Sequence, residues 1–278
     1  MLTLFLPPDP AVPAGFIPTT EAEIRRLDAL KRIPTTWIVS VVNGKLKVDD
    51  ADSVMARAAH EQRAPRKASA NQLIITTGLK PGYPWRADQP GNLKVPEGWL
   101  TPVDFGEFGG GICLVDNDAK AYKFITHQNT KLIAKTAEGI FAFQSLHHLS
   151  YRFADLVAVI KDDKGWHTQP VASLEEDPEV FWQDHDHFAF ATAQSIGIVG
   201  TDGSQAKVAA FTGKHYFISA ALLADGDTWL GASNGLLRIH PEGSDSYAVQ
   251  WFVHFEGKSK SKIKGTAHAD HWVNPHPS

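Results

Sequence analysis

The segment Asp184–His187 alternates two carboxylates with two imidazoles, a pattern that suits metal binding. Residues i and i+2 of a strand point to the same face, so His185 and His187 would reach one ion together. The two carboxylates recur later in the chain as Asp225 and Asp227, which favours a repeated turn whose carboxylates accept backbone hydrogen bonds. We therefore predict neither a metal nor another cofactor, with a metal site at His185 and His187 as the alternative.

The run Gly231-Ala-Ser-Asn-Gly235 fits Gly-x-Ser-x-Gly, the pattern around the nucleophile of many serine hydrolases. In those enzymes the serine lies between a strand and a helix, because the sharp turn exposes its hydroxyl. Here an apolar, strand-like run that ends at Pro241 follows Ser233. We predict that Ser233 is a turn residue and not a nucleophile.

Four carboxylates fall within one short loop, at Glu175, Glu176, Asp177 and Glu179. So many like charges in such a short loop cannot all be paired locally, which makes the loop the best candidate for contact with a partner. The structural alternative is a loop that is merely solvated.

Several tryptophans lie beside Gly, Pro or acidic residues rather than inside long apolar runs. Trp166 and Trp182 are the two that we expect to add apolar contact area to a binding surface. Trp85 and Trp99 have similar surroundings, and some of these rings must belong to the core because tryptophan is usually mostly buried.

Composition excludes several classes of protein. Of the 278 residues, 43% are hydrophobic and 21% charged, which is enough apolar material for a folded core. The single cysteine, Cys113, excludes an internal disulfide and a cysteine-based zinc finger. No apolar run approaches the roughly 18 residues of a membrane helix, and the first residues lack the basic region of a signal peptide. We therefore expect a cytoplasmic protein with no membrane partner.

The charge is distributed unevenly along the chain. Residues 71–255 contain 13 basic and 21 acidic side chains, a net charge of −8, whereas the whole chain carries −4. Such a body repels nucleic acid and attracts basic proteins. The expected partner is therefore a basic protein, and nucleic acid is not expected.

The first 70 residues are predicted to mix helices with a hairpin. Apolar residues at helical spacing predict a helix over Glu21–Ile33, which Pro34 ends. A hairpin is predicted over Thr35–Val48, because Asn43-Gly44 is a strong turn signal between two β-type runs. A second helix is predicted over Asp49–Gln62.

From Gln72 onward the chain consists of short β-type runs separated by turn residues. We predict one domain over residues 1–278, in which 1–70 is the mixed segment, 71–255 a repetitive β body and 256–278 a tail.

The β body contains an internal repeat. Similar segments begin near Phe141, Phe188 and Trp229, and the last two align without a gap through the following strand. A period of about 40–50 residues with four short strands per unit is typical of β-propeller blades. Asp225-Gly-Asp-Thr-Trp-Leu-Gly-Ala-Ser-Asn-Gly-Leu236 resembles the blade signature of regulator-type and related β-propellers. The resemblance covers roughly residues 135–255 and implies an all-β, five- or six-bladed propeller; an irregular β-sandwich is the alternative.

Propellers serve unrelated functions, so the fold alone assigns no reaction. We predict a non-enzymatic, protein-binding propeller, in its sharper form an inhibitor or immunity-type protein that neutralises a basic toxin or enzyme. One alternative is a metal-dependent propeller hydrolase or lactonase with Asp and His around the central channel. Another is a small-ligand or glycan binder that uses the tryptophans.

Overall fold

The computed structural model describes residues 12–30, 35–55, 73–75, 83–87, 91–106, 109–148, 151–175, 178–184, 186–243, 246–254 and 270–273. Within them the chain is mostly β-structure, as predicted, and the sheets are small and antiparallel. Helix α1 spans Glu21–Leu30, and a further helical segment covers residues 51–55. Both helical segments precede residue 70, as predicted.

The strands, in chain order, are β1 (Phe16–Thr19), β2 (Trp37–Val42), β3 (Lys45–Asp50), β4 (Ile74–Ile75), β5 (Tyr83–Pro84), β6 (Leu93–Val95), β7 (Gly98–Asp104), β8 (Gly110–Asp116), β9 (Tyr122–Thr126), β10 (Thr130–Lys135), β11 (Ile140–His148), β12 (Tyr151–Asp162), β13 (Gly165–Ser173), β14 (Pro178–Asp184), β15 (His187–Thr192), β16 (Ser195–Gly200), β17 (Gln205–Ala210), β18 (Phe217–Leu222), β19 (Thr228–Ala232), β20 (Gly235–Pro241), β21 (Ser246–His254) and β22 (Asp270–Val273).

Four sheets each contain four strands whose order in the sheet is their order in the chain. These sheets are β6–β9, β10–β13, β14–β17 and β18–β21. Strands β1 and β22 both pair with β21, at its second and first half respectively. Hairpins β2–β3 and β4–β5 form separate two-stranded sheets. None of these sheets closes on itself.

The local predictions for the first 70 residues are confirmed where the structure describes them. Thr20 caps α1 by accepting a hydrogen bond from the Glu23 N–H at 3.3 Å. The Asn43-Gly44 turn has φ of +52° and +71°, the left-handed conformation that joins two strands of a tight hairpin. Asp50 accepts from the Ser53 N–H at 2.8 Å and so begins the second helical segment; residues 56–72, which hold its predicted remainder, lie outside the described residues.

The chain divides into two compact units, one of residues 1–64, 193–196 and 207–278, and one of residues 65–192 and 197–206. In the second unit, consecutive sheets pack face to face. Phe143 of β11 packs edge-on against Phe188 of β15, with ring centroids 5.5 Å apart. Ala142, on the opposite face of β11, lies in a cluster with Leu100 and Ile112 of sheet β6–β9. Because neighbouring residues of a strand point to opposite faces, sheet β10–β13 is covered on both sides.

In the first unit, hairpin β2–β3 covers one face of sheet β18–β21. Trp229 is fully buried and lies in a cluster with Val39 of the hairpin. The contact is close because a Cβ at Gly231 would lie 2.1 Å from the Trp37 carbonyl oxygen. The glycines of Gly-x-Ser-x-Gly are therefore explained by packing, and strand β20 follows Ser233, as predicted.

Glu21, in the first turn of α1, holds the loop that precedes β18. Its Oε1 accepts hydrogen bonds from the backbone N–H groups of Thr212 at 2.8 Å and Gly213 at 3.0 Å, and lies 3.1 Å from His215 Nε2. The His215 ring is buried against Trp251, with centroids 4.7 Å apart. Burial raises the pKa of the Glu21 carboxyl, but the hydrogen bonds from His215, Thr212 and Gly213 outweigh it and hold that pKa below its ordinary value.

We predict that Glu21→Gln lowers the free energy of unfolding by about 1–2 kcal/mol at neutral pH, since hydrogen bonds to a charged acceptor are stronger than those to a neutral one. The lowered pKa means that this stabilisation is present above the unfolded-state pKa and is lost as pH falls through the folded-state pKa. Denaturant unfolding at several pH values checks this. The matched control, Glu23→Gln on the exposed Glu23–Arg26 pair, should change stability by less than about 0.5 kcal/mol; equal effects of the two variants would contradict the prediction.

Candidate functional site

Asp227 is a buried carboxylate with two side-chain partners, an arginine and a histidine. It precedes β19, and its side chain is 1% exposed. Oδ2 accepts hydrogen bonds from Arg238, with Nε and Nη2 each 2.6 Å away. Oδ1 lies 2.5 Å from Nδ1 of His240. Both oxygens are therefore satisfied by side chains of one neighbouring strand.

The register of β19 and β20 explains this arrangement. Arg238 and His240 are two residues apart on β20, so their side chains share a face of the sheet. Trp229 pairs with Arg238, which puts Asp227, two residues before Trp229, on the same face and next to His240. The Arg238 guanidinium also lies over the Trp229 ring, 5.8 Å from its centroid.

The three side chains differ in their access to solvent. Asp227 is enclosed, the Arg238 side chain is 19% exposed, and the His240 side chain is 49% exposed. A hydrogen bond from Nδ1–H to Asp227 leaves Nε2 of a neutral His240 ring as an acceptor, or as a second donor once the ring is protonated. Within the described residues Nε2 has no hydrogen-bond partner.

An open groove of about 420 Å³ runs past His240 and Arg238. The rest of its lining is mostly apolar and comes from β1 and β21: Pro18, Ala248, Val249, Gln250 and Phe252. Gln250 is held in place because its Nε2 donates to the carbonyl oxygens of Thr19 and Trp251, each at 3.0 Å. The groove thus offers one titratable ring nitrogen beside an apolar surface, which is how small-molecule sites are commonly built.

This site was not singled out from the sequence, which assigned Asp225 and Asp227 alike to a turn. For Asp225 the prediction is confirmed, since its Oδ1 accepts the Asp227 N–H at 3.1 Å. For Asp227 it is wrong, because its carboxylate points into the sheet and binds Arg238 and His240 instead of backbone amides. The sequence did contain one signal for this site. In β20, which is joined to β19 just after Asp227, Arg238 and His240 alternate with apolar residues.

The predicted turn at Asp184–His187 is confirmed. Asp184 and His187 pair with each other as the last residue of β14 and the first of β15. Asp186 and His187 are exposed, while His185 lies outside the described residues. In the part of the chain that the structure describes, no three His, Cys, Asp or Glu side chains are grouped so as to hold a metal ion.

The predicted partner-binding residues differ in their exposure to solvent. Glu175 and Glu179 are exposed, and Glu176 and Asp177 lie outside the described residues. The Trp166 side chain is half-buried and packs against the cluster that joins sheets β6–β9 and β10–β13.

The expectation that Trp182 contributes to a binding surface is wrong, because this residue is only 8% exposed. Alternate residues of β14, namely Pro178, Val180 and Trp182, face inward, and the alternation of the strand carries the ring into the core. Trp85 is likewise a core residue at 6% exposed.

Cys113 is the remaining nucleophile candidate. It is fully buried in β8, and burial raises the pKa of its thiol to about 12. The reactive species is the thiolate, so Cys113 is unsuited to nucleophilic chemistry.

A scan against protein-family models and a search of the curated proteins each found no match to this chain. Among the described residues, no helix has the length and apolar character that crossing a membrane requires.

We predict that Arg238→Met lowers the free energy of unfolding by about 3–5 kcal/mol, because it leaves the buried Asp227 carboxylate without its main counter-charge. The double variant Asp227→Asn/Arg238→Met removes that unpaired charge and should recover more than half of the loss. Denaturant unfolding gives both values, and Arg26→Met, at a guanidinium that is 57% exposed, is the matched control. A single variant within about 0.5 kcal/mol of the parent would contradict the prediction.

Proposed function

We propose that the chain is a non-enzymatic binding protein of the β-propeller type, and that the acidic ends of its sheets bind a basic protein partner. The observation that carries the proposal is a carboxylate in every first and third turn of the four-stranded sheets.

Three features support the propeller. Four consecutive sheets each contain four strands in chain order. The repeated segments at Phe141, Phe188 and Trp229 each lie in the second strand of such a sheet. Within the second unit, neighbouring sheets pack face to face. Hairpins β2–β3 and β4–β5 contain four further strands, so the number of strands suits five blades.

In a sheet whose strand order follows the chain, the first and third turns lie at one end and the second turn at the other. We call the first end the turn end. Carboxylates lie in, or directly before, all eight of these turns. Among the described residues they are Glu97, Asp116 and Asp118 in sheet β6–β9; Glu138, Asp162 and Asp163 in β10–β13; Asp184, Asp186 and Asp202 in β14–β17; and Asp225, Glu242 and the buried Asp227 in β18–β21.

The second turns differ. Three of the four contain no acidic residue: 149–150, 193–194 and 233–234. The fourth, 104–109, contains Asp104 and Glu107. The lysines Lys120 and Lys164 are the basic residues within the turn-end loops themselves. Among the turns within the sheets, carboxylates are therefore concentrated at the turn end, where Glu97 is paired with Lys161 and Asp118 with Lys120; the acidic loop at Glu175 lies at the opposite end.

Turn geometry explains why aspartate occurs there but does not remove its charge. Asp116 accepts from the Lys120 N–H at 2.7 Å, Asp162 from the Lys164 N–H at 2.8 Å, and Asp202 from the Ser204 N–H at 2.9 Å. A neutral N–H donor leaves each carboxylate with its full negative charge. In a propeller the turn ends of all blades share one face, so these charges would form one acidic surface.

An acidic surface of this kind raises the association rate of a basic partner and gives specificity against acidic ones. If that partner is an enzyme or a toxin, occupation of its basic active site or nucleic-acid site would inhibit it. This is the inhibitor or immunity-type form of the proposal.

The test compares two triple charge reversals with the same change in net charge. The partner is first captured from an extract of the source cells on the immobilised chain, identified and purified. Asp118, Asp163 and Asp186 are exposed and accept none of the turn hydrogen bonds given above, so their replacement by Lys should spare the fold. We expect this variant to slow association about tenfold or more at low salt, and the difference to shrink as salt screens the charges.

The matched variant replaces Glu175, Glu176 and Glu179 of the acidic loop by Lys. That loop joins β13 to β14 at the opposite end of its sheet, and the sequence predicts it as the contact. If only the loop variant slows association, the partner is basic but binds away from the turn end. An association rate that changes in neither variant, or a captured partner with an acidic contact surface, would refute the proposed function.

A further inference from the structure

We propose that the groove beside His240 binds a small organic anion, a molecule with an apolar body and one carboxylate, and that protonated His240 binds the carboxylate through Nε2. This site lies next to the turn-end carboxylates Asp225 and Glu242, but it does not depend on the proposed protein partner.

The charges of the cluster favour an anion. Asp227 contributes one negative charge, which the Arg238 guanidinium already balances at 2.6 Å. Because Arg238 already binds this carboxylate, a proton on His240 adds a positive charge at a ring that is 49% exposed. Asp227 is the carboxylate that contacts this ring. Glu242 follows His240 by two residues, and the neighbours Ala248 and Gln250 on β21 are neutral.

The buried Asp227 carboxylate holds the His240 ring in one orientation, so a charge on that ring faces the groove at a fixed position. Its contact with Nδ1, at 2.5 Å, fixes the orientation of the ring. Nδ1 is thereby occupied, so a ligand contacts Nε2. A charge-assisted hydrogen bond from Nε2–H to a carboxylate is about twice as strong as a neutral one.

The groove itself favours an apolar body of modest size. Its volume of about 420 Å³ is within the range of small-molecule sites. Pro18, Val249 and Phe252 provide apolar surface beside the imidazole. Phe252 cannot shift easily, because its ring packs against the buried Trp229 with centroids 5.0 Å apart. An aromatic body with a short acidic arm meets both requirements.

The experiment uses 1-naphthylacetate and its neutral analogue 1-naphthylacetamide, which share the apolar body and nearly the same shape. Binding of each to the full chain is measured by titration calorimetry in mildly acidic buffer, where histidine side chains carry a proton. We expect the anion to bind at least about tenfold more tightly than the amide. Addition of the anion should also shift the Nε2 resonance of His240 in NMR spectra.

Two variants and a control locate the binding. His240→Gln retains a donor toward Asp227 but carries no positive charge, so the preference for the anion should be lost. Ala248→Glu leaves the Asp227–His240 contact intact and places a carboxylate on the strand position that pairs with His240, so it should also weaken anion binding tenfold or more. His167→Gln alters an imidazole of similar exposure, 45%, and should retain the parent's preference.

Equal affinity of the parent chain for the two compounds would overturn the proposal. So would an anion preference that persists in both His240→Gln and Ala248→Glu, because the binding would then lie elsewhere. If neither compound binds at about 1 mM, the role of His240 is confined to holding Asp227, and the proposal is wrong.

Discussion

The middle strands of the four-stranded sheets are buried on both faces. Consecutive residues of β11, β15 and β19 are buried, and since neighbouring residues of a strand point to opposite sides, each sheet needs cover on both. In the second unit the neighbouring sheets provide it for sheet β10–β13: the following sheet through Phe143 and Phe188 on one side, and the preceding sheet through Ala142 on the other. In the first unit hairpin β2–β3 covers the sheet that contains Trp229. A single four-stranded sheet could not meet this requirement alone.

The same constraint determines where polar groups lie. A strand buried on both faces has little room for charge, so charged side chains collect in the turns and on outer strands. The exception is Asp227, which enters the sheet because Arg238 and His240 satisfy both of its oxygens. A buried carboxylate of this kind is tolerated only with such partners. The two proposed binding sites lie at places where the β architecture admits charge: the turns and the paired cluster around Asp227.

Local features were predictable from the sequence because they depend on neighbouring residues. The Asn43-Gly44 hairpin, the start of α1 and the β character after residue 71 required only turn chemistry and periodicity. The three similar segments at Phe141, Phe188 and Trp229 lie in β11, β15 and β19, the second strand of each sheet. Whether the sheets form a propeller depends on the arrangement of all of them, which local patterns do not determine.

Contacts between distant residues were not predictable. The aligned residues Asp186 and Asp227 share a turn position, yet one is exposed and the other buried, because only Asp227 has Arg238 and His240 opposite it on the next strand. Glu21 and His215 are far apart in the chain, and nothing around Glu21 indicates the loop it holds. Trp182 was expected at the surface because its flanking residues are polar, but the alternation of β14 places the ring in the core.

The central claim is that the acidic turn ends bind the protein partner. Amide hydrogen exchange, measured on the chain alone and on the chain bound to its captured partner, tests this claim most directly because it maps the contact without altering any charge. The account predicts slower exchange in the bound state at the turn ends, in residues 116–121, 162–165 and 184–187, with no change in the second turns at 193–194 and 233–234. Protection at those second turns, with the turn ends unchanged, would contradict it.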